Sequence, residues 1–169
     1  MINWYALYTR PRHEKKAYEI LTDKGENAYL PLLKTTRMFK DRKKTVELPL
    51  FSSYLFCQFE YKDRFSILET HGVIKIVSFN GKPAVVPDWQ IESMKTILAN
   101  PESLRLESYF RQGDLVEVKS GPFRGLRGTV MHLKGESRLA ILIEGIMQSI
   151  SVEIDPDCVE AVPAEQLHV

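Results

Sequence analysis

The stretch Leu50-Phe51-Ser52-Ser53-Tyr54-Leu55-Phe56-Cys57-Gln58-Phe59 constrains this chain more than any other. Pro49 and the basic segment Lys34–Lys44 precede it, and the charged turn Glu60–Arg64 follows it. A run this short and this apolar predicts a central β-strand covered on both faces. Side chains alternate across a strand, so Leu50, Ser52, Tyr54, Phe56 and Gln58 share one face. Phe51, Ser53, Leu55, Cys57 and Phe59 share the other. Both faces carry large apolar groups. One of them is expected to meet the domain's own helices, and the other has room for something outside the chain.

The elements around this strand follow from local pattern. Trp4–Thr9 is rich in aromatic and β-forming residues and predicts a first strand. Pro11 suits the opening of a helix, in which Ala17, Ile20 and Leu21 make the core stripe and Lys24-Gly25 the stop. Pro31 marks Asn27–Leu33 as an edge strand or bulge. In Lys34–Lys44, six residues are basic and one is acidic, between Thr/Val-rich arms, which predicts a protruding hairpin. With Met38 and Phe39 at its tip it either grips phosphate or is an ordinary hairpin whose lysines block edge-to-edge pairing. A short helix over Asp63–His71, with Phe65 and Leu68 on its apolar side, and a strand over Val73–Phe79 follow. Asn80-Gly81 is a strong turn signal. Asp88 opens a helix with the stripe Ile91, Met94, Ile97 and Leu98. The order β-α-β-β-β-α-β-α predicts an α+β domain, an antiparallel sheet with helices.

Texture changes further on. Asn100–Gln112 is polar and without a period, and reads as a linker. From Gly113 onward, about five short strands (Leu115–Lys119, Leu126–Met131, Arg138–Ile143, Ile146–Val152, Val159–Val162) alternate with Gly/Pro turns, which predicts a small five-stranded β-barrel. The expected division is therefore residues 1–99, a linker over 100–112, and a barrel over 113–163.

Charge divides the same way. The net charge is +1, but up to Leu98 there are sixteen Lys/Arg against eleven Asp/Glu, and from Ala99 on seven against eleven. A +5 module beside a −4 module points the first toward a polyanion. No run approaches the roughly 18 apolar residues of a membrane span, and a soluble, cytoplasmic monomer is expected. Cys57 and Cys158 are read as free thiols. There is no phosphate loop, no Cys-x-x-Cys and no metal-ligand spacing, and His13, His71, His132 and His168 are scattered. No enzyme, cofactor or metal is expected. The positive signals are binding signals: the basic N-terminal module, the aromatics Tyr8, Tyr54 and Phe56, and the barrel.

Three motifs carry a family resemblance. GDLVEVKSGPFRGLRGTV at Gly113–Val130 resembles the KOW motif, while WYALYTRPRHEKKA and PLFSSYLFCQF resemble the N-terminal (NGN) domain of NusG-type transcription elongation factors. Phe51-Ser52-Ser53-Tyr54 stands where general NusG often has Phe-Pro-Gly-Tyr, which looks more like the specialised RfaH and UpxY antiterminators. The resemblance implies that an apolar patch at Tyr8, Phe51, Tyr54 and Phe56 binds RNA polymerase. Tyr8, Tyr54 and Phe56 have the alternation of one patch, whereas Phe51 has the parity of the core. It further implies that Arg10, Arg12, Lys15 and Lys16 meet the non-template DNA, and that Lys40, Arg42, Lys43 and Lys44 touch nucleic acid or polymerase. Phe123 and Arg124 would face a further partner, a ribosomal protein or Rho. Such a factor suppresses pausing and termination by binding. The alternative is an RNA- or ribosome-binding KOW protein that does not act on polymerase. Some RfaH-like proteins refold the C-terminal module into a helical hairpin, but the Val/Ile alternation and the Gly turns here favour a stable barrel.

Overall fold

The computed structural model of the chain describes residues 1–39, 42–107, 113, 115–133 and 136–162. The chain forms two compact units, Met1–Asp88 and Trp89–Val169.

The first unit begins with β1 (Ile2–Thr9), α1 (Glu14–Asp23), β2 (Asn27–Tyr29), β3 (Leu32–Phe39) and β4 (Arg42–Pro49). It continues with β5 (Tyr54–Glu60), α2 (Arg64–Leu68), β6 (Val73–Ile76), β7 (Ser78–Phe79), β8 (Lys82–Pro83) and β9 (Val85–Val86). The main sheet is antiparallel in the order β2-β5-β1-β6, and β9 also pairs with β1. β1 and β5 match over their length, with Tyr5 opposite Cys57, Leu7 opposite Leu55 and Tyr8 opposite Tyr54. One face of this pair is the core. Tyr5, Leu7, Leu55, Cys57 and Phe59 cluster with Ala17 and Leu21 of α1 and Ile67 of α2. The expected inward side of β5 is present, and of the expected helix stripe Ala17 and Leu21 join the core while Ile20 is only half-buried outside it.

Three expectations change. The strand begins at Tyr54, not Leu50, because Ser53 takes a left-handed backbone (φ 66°) that no strand continues through. Parity therefore says nothing about Phe51, which lies in the turn ahead of the strand. In α2 the core residue is Ile67, and Phe65 is exposed with the Arg64 guanidinium 4.4 Å from its ring centroid. The expected strand over Val73–Phe79 is interrupted at Val77. Its second half pairs with β8 around Asn80-Gly81, both left-handed (φ 51° and 76°), as the turn signal requires.

The second unit contains most of α3 (Asp88–Ala99), then β10 (Arg105–Glu107), β11 (Leu115–Val118), β12 (Arg127–Leu133), β13 (Glu136–Ile143), β14 (Gln148–Glu153) and β15 (Val159–Ala161). Ile91, Met94 and Ile97 are fully buried, as their stripe predicts. Beyond α3 the unit is built of strands and short 3-10 turns. The strands form one antiparallel sheet in the order β10-β14-β13-β12-β11-β15. Gly128 is dictated by packing, since a Cβ there would lie 2.5 Å from the Ala140 carbonyl oxygen.

A closed five-stranded barrel was expected, whereas the described strands run as an open, six-stranded path. The sixth strand comes from the segment read as linker. Arg105–Glu107 pairs antiparallel with Ser149–Ser151 along the outer edge of β14. Arg138 holds it there. This fully buried side chain donates to Ser151 Oγ (2.9 Å), to the Ser151 carbonyl (3.1 Å) and to the Ser103 carbonyl ahead of β10. Ser103 Oγ in turn accepts from the Glu153 N–H at 3.0 Å.

Candidate functional site

The register of β1 against β5 sets Tyr8 beside Tyr54, with ring centroids 5.4 Å apart and planes tilted by 58°. Both rings are half-buried. β6 adds Lys75 opposite Tyr8, its Nζ 5.8 Å from the ring centroid, within reach of a cation–π attraction. The pair has an apolar body, polar hydroxyl tips and a cation at its rim, the composition of a compact protein-binding patch.

The loop after β1 carries basic residues onto the neighbouring surface. The Arg10 N–H donates to the Gly72 carbonyl at 2.9 Å, and the His13 N–H to the Arg10 carbonyl at 3.1 Å. Arg12 is left-handed (φ 65°), which turns the chain into α1. Arg10, Arg12, Lys15 and Lys16 are all exposed. Gly72, left-handed at φ 95°, sits so close beneath this loop that a Cβ would meet His13 Cβ at 3.0 Å. The His13 and His71 rings face each other at 5.5 Å.

The turn before β5 is tied on both sides. Thr9 N–H donates to the Ser53 carbonyl at 2.9 Å, and the Ser53 N–H donates to Glu14 Oε1 at 2.7 Å. Glu14, Ser53 and Thr9 are all buried, and the Thr9 hydroxyl has no partner among the described residues.

Two expected contact residues are interior. Phe56 is 0% and Phe51 1% exposed, packed edge to face with centroids 6.3 Å apart, and Tyr29 stacks on Phe56 at 6.4 Å. Neither presents surface to a partner, although Phe56 has the parity of Tyr54. Parity assigns a face but says nothing of which part of that face is covered. Phe123 is likewise buried at 7%, held in a turn where the Leu126 N–H donates to its carbonyl at 3.0 Å, so of the two expected contacts there Arg124 alone is exposed.

The basic hairpin forms a separate two-stranded ribbon. Arg42, Lys43 and Lys44 lie exposed along β4, while Lys40 falls outside the described residues. Lys44 stands opposite Arg37, a like-charge pair that weakens the ribbon. Met38, opposite Lys43, is 73% exposed.

Sequence reading missed Glu14 and Ser53, yet both left signals. Glu14 shares the helical phase of Ala17 and Leu21, so a carboxylate stands on the core stripe. Ser53 stands where the general motif has glycine, a residue suited to left-handed backbone.

No catalytic arrangement emerges among the described residues. Burial, and then the negative charge of Glu26, push the Cys57 thiol up to about 12, far from a thiolate nucleophile. No group of three or more His, Cys, Asp or Glu among them could hold a metal. No described helix is long and apolar enough to cross a membrane.

The family model described as "Transcription termination factor nusG" matches residues 2–95. The chain is 28% identical over 175 residues to the transcription termination/antitermination protein NusG of Thermus thermophilus, covering 91% of this chain and 95% of that one. It is 22% identical over 182 residues to the NusG of Deinococcus radiodurans, covering 91% and 96%. A solved structure described as "Domain interaction in Thermotoga maritima NusG" superposes with a TM-score of 0.54 at 22% identity, covering 96% and 98%, a likeness of fold.

Proposed function

The chain belongs to the NusG family, and from that premise we propose that it is a transcription elongation and antitermination factor that binds RNA polymerase through its N-terminal domain. The observation that carries this reading is the half-exposed Tyr8–Tyr54 pair, rimmed by Lys75 and flanked by Arg10, Arg12, Lys15 and Lys16. The tyrosines anchor the polymerase, and the basic loop follows the exposed non-template DNA strand. Arg42, Lys43 and Lys44 hold nucleic acid along the hairpin by charge. Binding that favours the closed, processive polymerase over the paused one suppresses pausing without catalysis, through differential affinity for two states.

We assign the polymerase-binding domain to residues 1–99 and the partner-recruiting KOW module to residues 113–163, with Arg124 toward a ribosomal protein or Rho. The factor acts as a cytoplasmic monomer. Ser52-Ser53 in place of Pro-Gly supports a specialised RfaH- or UpxY-like paralogue, whereas the relatives compared above carry the general NusG name.

The test is capture of core RNA polymerase together with a pausing assay on a defined template. Native protein is expected to bind and shorten pauses, and Tyr8→Ala with Tyr54→Ala to lose both while remaining folded. Failure of the native protein to bind polymerase, with binding to ribosomes or RNA instead, would replace this reading with that of an RNA- or ribosome-binding KOW protein.

A further inference from the structure

We propose that Glu14 is a positioning residue. Its buried carboxylate holds the Ser53 backbone in the left-handed conformation that turns Phe51 into the core and delivers Tyr54 to the surface beside Tyr8. The inference rests on the reading of Tyr8 and Tyr54 as the polymerase contact.

Glu14 is the first residue of α1 and is 6% exposed. A carboxylate there gains from the partial positive charge of the helix N-terminus, which offsets its removal from water. One of its oxygens receives the Ser53 N–H at 2.7 Å, across 39 residues of sequence. Ser53 is the only described residue between β4 and β5 with a positive φ, and a non-glycine residue holds such a backbone only when its surroundings impose it. Two bonds impose it here: Glu14 accepts the Ser53 N–H, and the Ser53 carbonyl accepts the Thr9 N–H at 2.9 Å. The second bond belongs to β1, the strand that carries Tyr8. The first belongs to the helix that carries Lys15 and Lys16. Glu14 therefore links three surfaces assigned to the elongation complex: the basic helix start on the DNA side, and the end of β1 and the start of β5 on the polymerase side. A surface glutamate would do none of this, and its place on the Ala17–Leu21 stripe shows that it was never a surface residue.

The test uses the full chain with Glu14→Ala, Glu14→Gln and Glu14→Ala combined with Ser53→Gly, in polymerase binding and by amide-resolved NMR. Loss of a buried acceptor is expected to weaken polymerase binding about tenfold in Glu14→Ala. Glutamine keeps an acceptor oxygen, so Glu14→Gln should stay within about twofold of native. Glycine adopts the left-handed backbone unaided, so Ser53→Gly should recover most of the loss. The Ser53 amide should lose its exchange protection in Glu14→Ala while Leu55 and Cys57 keep theirs. Should Glu14→Ala fail to fold, Glu14→Asp keeps the charge but withdraws the oxygen by one methylene, and is expected to behave in the same way. Unchanged Ser53 protection in Glu14→Ala, or Glu14→Gln as impaired as Glu14→Ala, would overturn the proposal. If native protein does not bind polymerase at all, the contact reading falls, and Ser53 protection alone then decides whether Glu14 positions the turn.

Discussion

The two larger sheets of this protein both bury apolar side chains, but the second adds a buried polar seam at one edge. In the N-terminal unit the covered face of β1 and β5 is apolar, from Tyr5 and Leu7 to Leu55, Cys57 and Phe59. In the C-terminal unit the seam under β10 is polar, with Ser151 and Arg138 both 0% exposed and hydrogen-bonded to each other. An apolar core tolerates many side chains of the right volume, because dispersion and burial are non-directional. A polar seam is stable only while each donor meets its acceptor, so it fixes one arrangement and fails when a partner is removed. The first sheet is thus a scaffold that can leave Tyr8 and Tyr54 at its margin, and in the second a buried guanidinium ties the start of the edge strand to its neighbour.

This contrast can be broken most severely at the seam. Arg138→Ala removes the donor to Ser103 and Ser151 and opens a cavity, with an expected loss of roughly 3–5 kcal/mol. Amide exchange should show Leu106 opening before Ile141. Equal acceleration across the whole sheet would mean that Arg138 is not specific to β10. Leu55→Ala in the apolar core should cost about 2–4 kcal/mol by denaturant titration, whereas Leu55→Met should cost less than about 1.5. A conservative swap at Arg138, to Lys, is not expected to be tolerated in the same way, since Lys lacks the planar fork. At the margin of the first sheet, Tyr54→Ala should weaken polymerase binding by about 2 kcal/mol, or about thirtyfold, with little change in thermal stability.

The smallest expected effect lies on the exposed surface of the second sheet. Glu117 sits 2.9 Å from both Lys119 Nζ and Arg127 Nε, and hydrogen bonds from these two cations hold its carboxyl below the usual value. A depressed carboxylate stabilises the fold above its unfolded pKa, and the effect fades as pH falls through the folded one. The hydrogen bond to Glu117 raises Lys119 in turn, a contribution present below the usual lysine value and lost as pH rises through the folded one. Native protein and Glu117→Gln should therefore differ slightly in melting temperature near neutral pH, and should converge both below about pH 4 and in strong alkali. A difference that persists in acid would point to packing instead of charge.

Periodic features were legible without coordinates. The alternation of Leu55, Cys57 and Phe59, the stripes Ala17–Leu21 and Ile91–Ile97, and the Asn80-Gly81 turn all record local geometry, and the structure keeps each of them. So does the strand-rich character of Leu115–Ala161. The family motifs were equally plain. What could not be read was anything that depends on a distant partner. Phe56 and Tyr54 have the same parity, yet one is sealed and the other half-open, because coverage of a face is set by elements far away in sequence. Arg105–Glu107 carries no strong strand pattern and becomes a strand because Arg138 and the β14 edge receive it. The role of Glu14 depends on Ser53, which the fold brings to it across 39 residues of sequence. Local propensity thus determined most of the elements of this protein by itself, though not β10. Tertiary structure decided which side chains of those elements are left for a partner, because burial and hydrogen-bond satisfaction are properties of the assembled fold, not of the segment.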